Sequence, residues 1–221
     1  MSYPALLAAG LGPVAANVTN TVALTGNALG GLHGSRPELA GQRDRVRRLV
    51  LPAAAGGVTG GVLLLLTPSG AFERIVPWLI GLGSIAVLAR PGPQSLAGAG
   101  HPRHERALWW GVLLVGGYAG YFGAAAGVLL LSLILWFTGE TVARGSALRL
   151  TLLSLANCVA AVTFAVAGPV HWPAALIMGL GFVAGSRLGP VVLRHSPDAV
   201  LRVAIALTGV AVAVHLAVAA Y

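Results

Sequence analysis

Long apolar blocks separated by short runs of Gly, Pro and Arg set the pattern of this chain. Residues 3–11 form a short apolar piece, and 13–33 read as a full helix. GSRPELAGQRDRVRR follows, a polar loop with five arginines. Residues 49–67 and 74–90 are two further blocks, separated by the turn PSGAFE. A second polar loop, 91–106, contains PGPQ and GAGHPRHER. Residues 107–138 are apolar throughout, and helices at 142–167, 172–192 and 199–219 complete the pattern. Several blocks approach the roughly 20 apolar residues that cross a bilayer as helix. The expected fold is therefore all-α, a polytopic transmembrane helix bundle.

The block 107–138 does not fit as one helix. At its usual rise it would be about 48 Å long, against a hydrocarbon core of about 30 Å. Gly116, Gly117, Gly120, Gly123 and Gly127 interrupt it, which predicts a break or a re-entrant hairpin. Arginine counting favours the hairpin. A single crossing divides the fourteen arginines eight against six, whereas a return to the same side leaves Arg74 alone opposite the other thirteen. Basic residues concentrate on the cytoplasmic side.

Composition narrows the functional classes. The chain is 57% hydrophobic and 9% charged, where soluble domains carry about 25% charged residues. The formal charge of +8 would suit nucleic acid, but the arginines sit at the ends of apolar segments, where they snorkel and set topology. No lysine is present, so the GxxxxGK[ST] nucleotide loop cannot be formed. Transport energy would then come from an ion gradient, the substrate gradient or a separate subunit; neither an enzyme nor a cofactor is expected. His101 and His104 in HPRHE make a weak metal signal and read better as a solvated loop. Cys158, the one cysteine, reads as a small buried hydrophobe. Trp109, Trp110, Trp136 and Trp172 lie at segment ends, as interfacial anchors do.

Sliding the chain on itself by 127 residues pairs Gly12 with Gly139, Ala16 with Ala143, Thr19 with Ser146 and Asn27 with Ser154. GVTGG (57–61) likewise resembles GFVAG (181–185). Each half reads as a short Gly-broken hairpin plus three spanning helices, which makes the halves inverted repeats. Residues 1–90 form the first, 91–106 a cytoplasmic linker and 107–221 the second. Inverted halves with broken helices at matching places point to a secondary transporter. Thirty-two residues precede the Gly139 turn in the second block, but only eleven precede Gly12. The first repeat is thus expected to be N-terminally incomplete by about twenty residues.

The candidate site comes from PVAANVTNTVALTGN (13–27). On a helical wheel Asn17, Asn20, Thr21, Thr25 and Asn27 share an arc of about 160°, while Thr19 points elsewhere. A lipid-facing amide would lack partners, so this face must look inward. It can wall a polar cavity, or it can be interhelical glue. The matching face of the second half carries Arg144, Thr151, Ser154 and Cys158, with Asn157 nearby. Arg144 could neutralise an anion or simply mark a helix end. The turns at Gly12 and Gly139, and the break at Gly123 and Gly127, would expose helix N-termini favourable to anions. The glycines 56, 57, 60 and 61, and 179, 181 and 185, read as close-packing positions. Glu140 is the one plausible embedded carboxylate for proton coupling.

YPALLAAGLGPVAANVTNTVAL (3–24), GGYAGYFGAAAGVLLLSLI (116–134) and the paired GGVTGG and GFVAGSRLG segments carry a resemblance across essentially the whole chain. It resembles the sulfite exporter TauE/SafE family, whose members normally begin with a Gly-rich segment ahead of the YPALLA-like piece. The resemblance implies a multi-pass transporter of the cytoplasmic (inner) membrane that moves a small anion such as sulfite or an organosulfonate. Asn17, Asn20, Thr21, Asn27, Arg144, Thr151, Ser154 and Asn157 are its candidate substrate contacts. Implied partners are the lipid bilayer and a small anionic substrate, with a coupling ion and a homodimer left open and no nucleic acid. A non-transporting membrane scaffold or subunit, and a channel-like anion pathway, are the alternatives.

Overall fold

The computed structural model describes the backbone of residues 2–34, 38–88, 102–123 and 125–195. Among the described residues there are eight helices and no strand: α1 Ser2–Ala8, α2 Pro13–Gly34, α3 Arg43–Leu66, α4 Ser69–Leu88, α5 Pro102–Tyr121, α6 Ala126–Thr138, α7 Val142–Ala167 and α8 Trp172–His195. The expected helix 199–219 and the loop up to His101 lie outside the described residues, as does the His104 side chain.

Local chemistry accounts for the boundaries. The Gly10 N–H bonds the Leu7 carbonyl and the Leu11 N–H the Leu6 carbonyl, with Gly10 at φ 89°. This is the Schellman closure of α1, which needs a left-handed residue at its second position beyond the helix. Gly10 therefore makes the turn assigned above to Gly12, whose φ is not positive. Pro13 then opens α2, where its missing N–H costs nothing. α3 begins at Arg43, six residues before the apolar block, because Arg is a good helix former and its stem can lie along the helix.

The break in 107–138 falls between Tyr121 and Ala126. Gly123 (φ 76°) and Ala125 (φ 59°) turn the chain there, and Gly139 (φ 63°) ends α6. Gly127 lies inside α6 with φ outside the left-handed region, so it is not a turn residue.

α3, α5 and α7 form a parallel trio. Along α3 and α5, Arg48 meets Glu105, Gly56 meets Gly117, and Thr67 receives the Tyr121 hydroxyl. Along α3 and α7, Gln42 bonds the Arg144 carbonyl, Gly57 meets Ala156 and Gly61 meets Ala160. Gly56 and Gly60 lie one turn apart on one side of α3, and Gly57 and Gly61 on the next. An added Cβ at Gly60 would run into the Gly117 carbonyl, and one at Gly57 into that of Ala156. The four glycines let α3 approach both neighbours backbone to backbone.

α2 and α8 run the opposite way, with Val18 beside Gly168 and the Gly26 backbone against the Gly179 carbonyl. α6 returns antiparallel to α7, with Gly145 against Leu131 and Leu135. Both open ends of the α5–α6 hairpin therefore lie at one end of the bundle. Arg43, Arg45, Arg47, Arg48, Arg106 and Arg144 gather there, whereas Arg74 lies at the far end, in the first turns of α4. These seven arginines divide in the direction that the hairpin reading expects.

Two apolar clusters fill the bundle. Leu49, Leu108, Val112, Leu130, Ile134, Leu148 and Leu152 pack toward the basic end. Val18, Leu64, Phe72, Phe122, Ala160 and Phe164 pack toward the far end. Outside, Leu51, Leu66, Leu114, Val166 and Leu180 are exposed, a surface that monomeric soluble proteins rarely show. α3 and α7 are each long and apolar enough to cross a membrane.

Candidate functional site

α2 carries its polar residues into the bundle. Asn17, Asn20 and Thr21 are buried, and Thr25 and Asn27 are half-buried. Asn17 Nδ2 donates to the Tyr121 carbonyl at 2.8 Å, satisfying an acceptor that the end of α5 leaves open. Thr21 and Thr25 turn their hydroxyls back onto the Asn17 and Val22 carbonyls, at 3.0 and 2.7 Å. Asn20 differs: its Oδ1 is buried with no donor among the described residues. Rotating this amide by half a turn exchanges oxygen and NH₂, so the position can present either an acceptor or a donor.

Thr19, which the wheel sets off the polar face, is fully buried. Its Oγ1 accepts the His171 N–H at 3.0 Å, fixing the start of α8 against α2. A wheel drawn for one inward face misses it because α2 is enclosed by α7 and α8 together. An isolated threonine opposite an amide-rich arc is the only sequence signal.

The second-half residues are distributed along α7. Arg144 does not join Asn17. Its Nε pairs with Glu140 Oε2 at 2.7 Å and its Nη1 donates to the Ala40 carbonyl at 3.1 Å. The basic and far ends, marked on α5 by Glu105 and Tyr121, are about 24 Å apart along that helix. The cause is the antiparallel course of α2 and α7: residues matched at their N-termini must lie at opposite ends. Matched positions can meet only near mid-helix. Counting equally from the Val18–Gly168 contact brings Asn27 level with Val159, within a turn of Asn157, with Ser154 somewhat nearer the basic end. Thr151 bonds the Ala147 carbonyl at 2.9 Å. Arg149 reaches the first turn of α6, since a Cβ on Gly127 would lie 3.5 Å from Arg149 Nη1. A guanidinium thus stands beside the positive end of a helix dipole.

A cleft of about 880 Å³ opens at the basic end. Beside it, Glu140 accepts from Arg45 at 2.6 Å as well as from Arg144. Burial pushes its carboxyl up, but the hydrogen bonds and charges of Arg45 and Arg144 outweigh this and hold it below its ordinary value. A carboxylate so fixed is a poor proton carrier. Among the described residues no group of three or more His, Cys, Asp and Glu could hold a metal.

The family model for sulfite exporter TauE/SafE matches residues 1–216. The chain belongs to this family. Among curated proteins it is similar to the probable membrane transporter protein YfcA of Escherichia coli K12, 24% identical over 193 residues, which are 86% of this chain and 70% of the relative. The same protein from E. coli O157:H7 matches equally. No solved structure matches. Family and relatives make this chain a membrane transporter, in agreement with the exposed apolar surface of the bundle.

Proposed function

We propose that the protein is a secondary transporter carrying a small oxyanion, sulfite or an organosulfonate, across the cytoplasmic membrane, with its basic end toward the cytoplasm. The observation that carries this reading is the buried polar face of α2, where Asn20 Oδ1 is enclosed with no donor among the described residues. Buried amides ordinarily find partners; as it stands the Oδ1 can accept from a passing water, and with the amide turned its NH₂ can donate to an oxyanion. Asn17 and Thr21 shape this wall through bonds to the backbone, and Asn27 continues it toward Ser154 and Asn157 at mid-helix. Arg149 against the α6 N-terminus supplies positive potential. Arg144, held by Glu140, acts at the basic mouth, and Thr151 lies between the two.

The antiparallel course of α2 and α7 supports two inverted halves, 1–90 and 107–221, joined by 91–106. Rocking of one half against the other would alternate access to the mid-helix level.

Flux from proteoliposomes loaded with sulfite or methanesulfonate tests the proposal. Asn20→Leu and Asn27→Leu are expected to cut flux by about tenfold or more, since each removes a polar partner from a dehydrated path. Full flux through both correctly folded variants would remove the site from α2. No flux of either anion through the unaltered protein would favour a scaffold.

A further inference from the structure

The cleft at the basic end is a blind one. Leu49 and Leu108 line it and belong to the close-packed cluster beneath, so it does not continue to the polar face of α2. α3, α5 and α7 all begin around it, adding three positive dipole ends to its arginines.

Among the described residues, the charged side chains that line it are equal in number: Arg45, Arg48 and Arg106 against Asp44, Glu105 and Glu140. They are not equally committed. Glu140 is tied to Arg45 and, outside the lining, to Arg144. The Arg48–Glu105 pair is open to solvent, with side chains 64% and 70% exposed, and such pairs hold each other weakly. Arg106 makes no ion pair among the described residues.

Gln42 supplies the deciding detail. It is 2% exposed and forms part of the cleft wall. Its Nε2 donates to the Glu38 carbonyl at 2.9 Å and the Arg144 carbonyl at 3.2 Å. Two carbonyl acceptors fix the amide, because turning it would set Oε1 against both. Oε1 is thereby left buried without a donor among the described residues. A ligand bearing only acceptors cannot satisfy it; one bearing an N–H can, once a small shift of the wall opens Oε1 to the cleft.

The remaining wall is aromatic. Trp109 and Phe137 line the cleft, and their sequence neighbours Trp110 and Trp136 are each 59% exposed on the outside. Trp136 stands in the last turn of α6 and Trp110 about two turns into α5, and exposed tryptophans near a helix end sit at headgroup depth in a membrane.

We propose that this cleft binds the headgroup of an aminoethyl phospholipid. Its phosphodiester sits on Arg48 and Arg106, and its ammonium is directed to the Gln42 wall and the carboxylates of Asp44 and Glu105. A zwitterion matches the balanced charges, and a primary ammonium has the N–H that a quaternary one lacks. The soluble phosphodiester headgroup, glycerophosphoethanolamine, offers the same charges, but the aromatic wall at interfacial depth assigns the acyl-bearing form.

Native mass spectrometry of the full chain in detergent tests this, with phosphatidylethanolamine, phosphatidylcholine and phosphatidylglycerol of identical acyl chains. Phosphatidylethanolamine is expected to be retained about tenfold better than either, and Arg48→Ala with Arg106→Ala to erase the preference. Both positions are exposed, so the double variant should fold, and the lipid ranking on the unaltered chain needs no variant. Equal retention of the choline lipid, a preference for the glycerol lipid, or a ranking unchanged in the double variant would overturn the site. Displacement of bound lipid by equimolar glycerophosphoethanolamine would overturn its assignment to a lipid.

Discussion

The two ends of the bundle are fastened by different chemistry. At the basic end, Arg45, Glu140 and Arg144 link the start of α3 to the turn before α7 through charged contacts of 2.6 and 2.7 Å. At the far end, the links are neutral: Asn17 to the Tyr121 carbonyl, the His171 N–H to Thr19, and Tyr121 to Thr67. Charged contacts in a half-exposed loop depend on pH and salt, while buried amide and hydroxyl contacts depend on geometry alone. A transporter that opens its ends in turn would then have one closure sensitive to the ionic environment at its basic end and one indifferent to it.

The largest expected effect removes the frame that both ends share. Gly60→Leu sets a side chain against the Gly117 and Tyr121 backbone and should cost about 3 kcal/mol or more, because backbone cannot yield as a side chain can. Loss of the monodisperse peak in size-exclusion chromatography would report it; a normally folded G60L protein would show that α3 and α5 are not held this closely. Next is Asn17→Leu, which strands the Tyr121 carbonyl and should cost about 2 kcal/mol in denaturant titration, unchanged by added salt. A marked salt dependence in this variant would break the distinction between the ends. Glu140→Ala should cost about 1 kcal/mol, diminishing at high ionic strength, since its partners are about one-third exposed.

The smallest effect is on pH dependence. The folded-state pKa of Glu140 lies below its ordinary 4.5. Its contribution is therefore complete above that ordinary value and is lost as pH falls through the depressed folded value. Melting temperatures of the native chain and Glu140→Gln should differ near neutral pH and draw together as the pH falls through that depressed folded value. A gap that persists in acid would mean that Glu140 acts through packing, not charge.

Much of the fold was legible because the bilayer restricts what an apolar block can be. The break inside 107–138 followed from length against bilayer thickness, and the return of Arg144 to the side of Arg43–Arg48 followed from charge asymmetry. The α3 glycines read as packing positions, and they are where α5 and α7 close in. Residues that depend on two helices at once were not legible. Thr19 was set aside by a wheel that knows one helix. Gly10 rather than Gly12 makes the first turn, a choice decided by which carbonyls the Schellman bonds reach. Gln42 and the cleft around it gave no periodic signal, because they arise where three separate helices begin.

The sequence by itself determined that this chain is a membrane bundle, where its helices break, and that α2 buries amides, since hydrophobic length, glycine placement and the cost of an unpaired polar group are local quantities. Only the tertiary structure decided how those amides are used. Antiparallel packing of α2 and α7 put Arg144 at the opposite end from Asn17, gave Asn17 to Tyr121 and left Asn20 Oδ1 without a donor among the described residues. Hydrogen-bond partners between helices are fixed by relative direction and depth, which no single stretch of residues encodes.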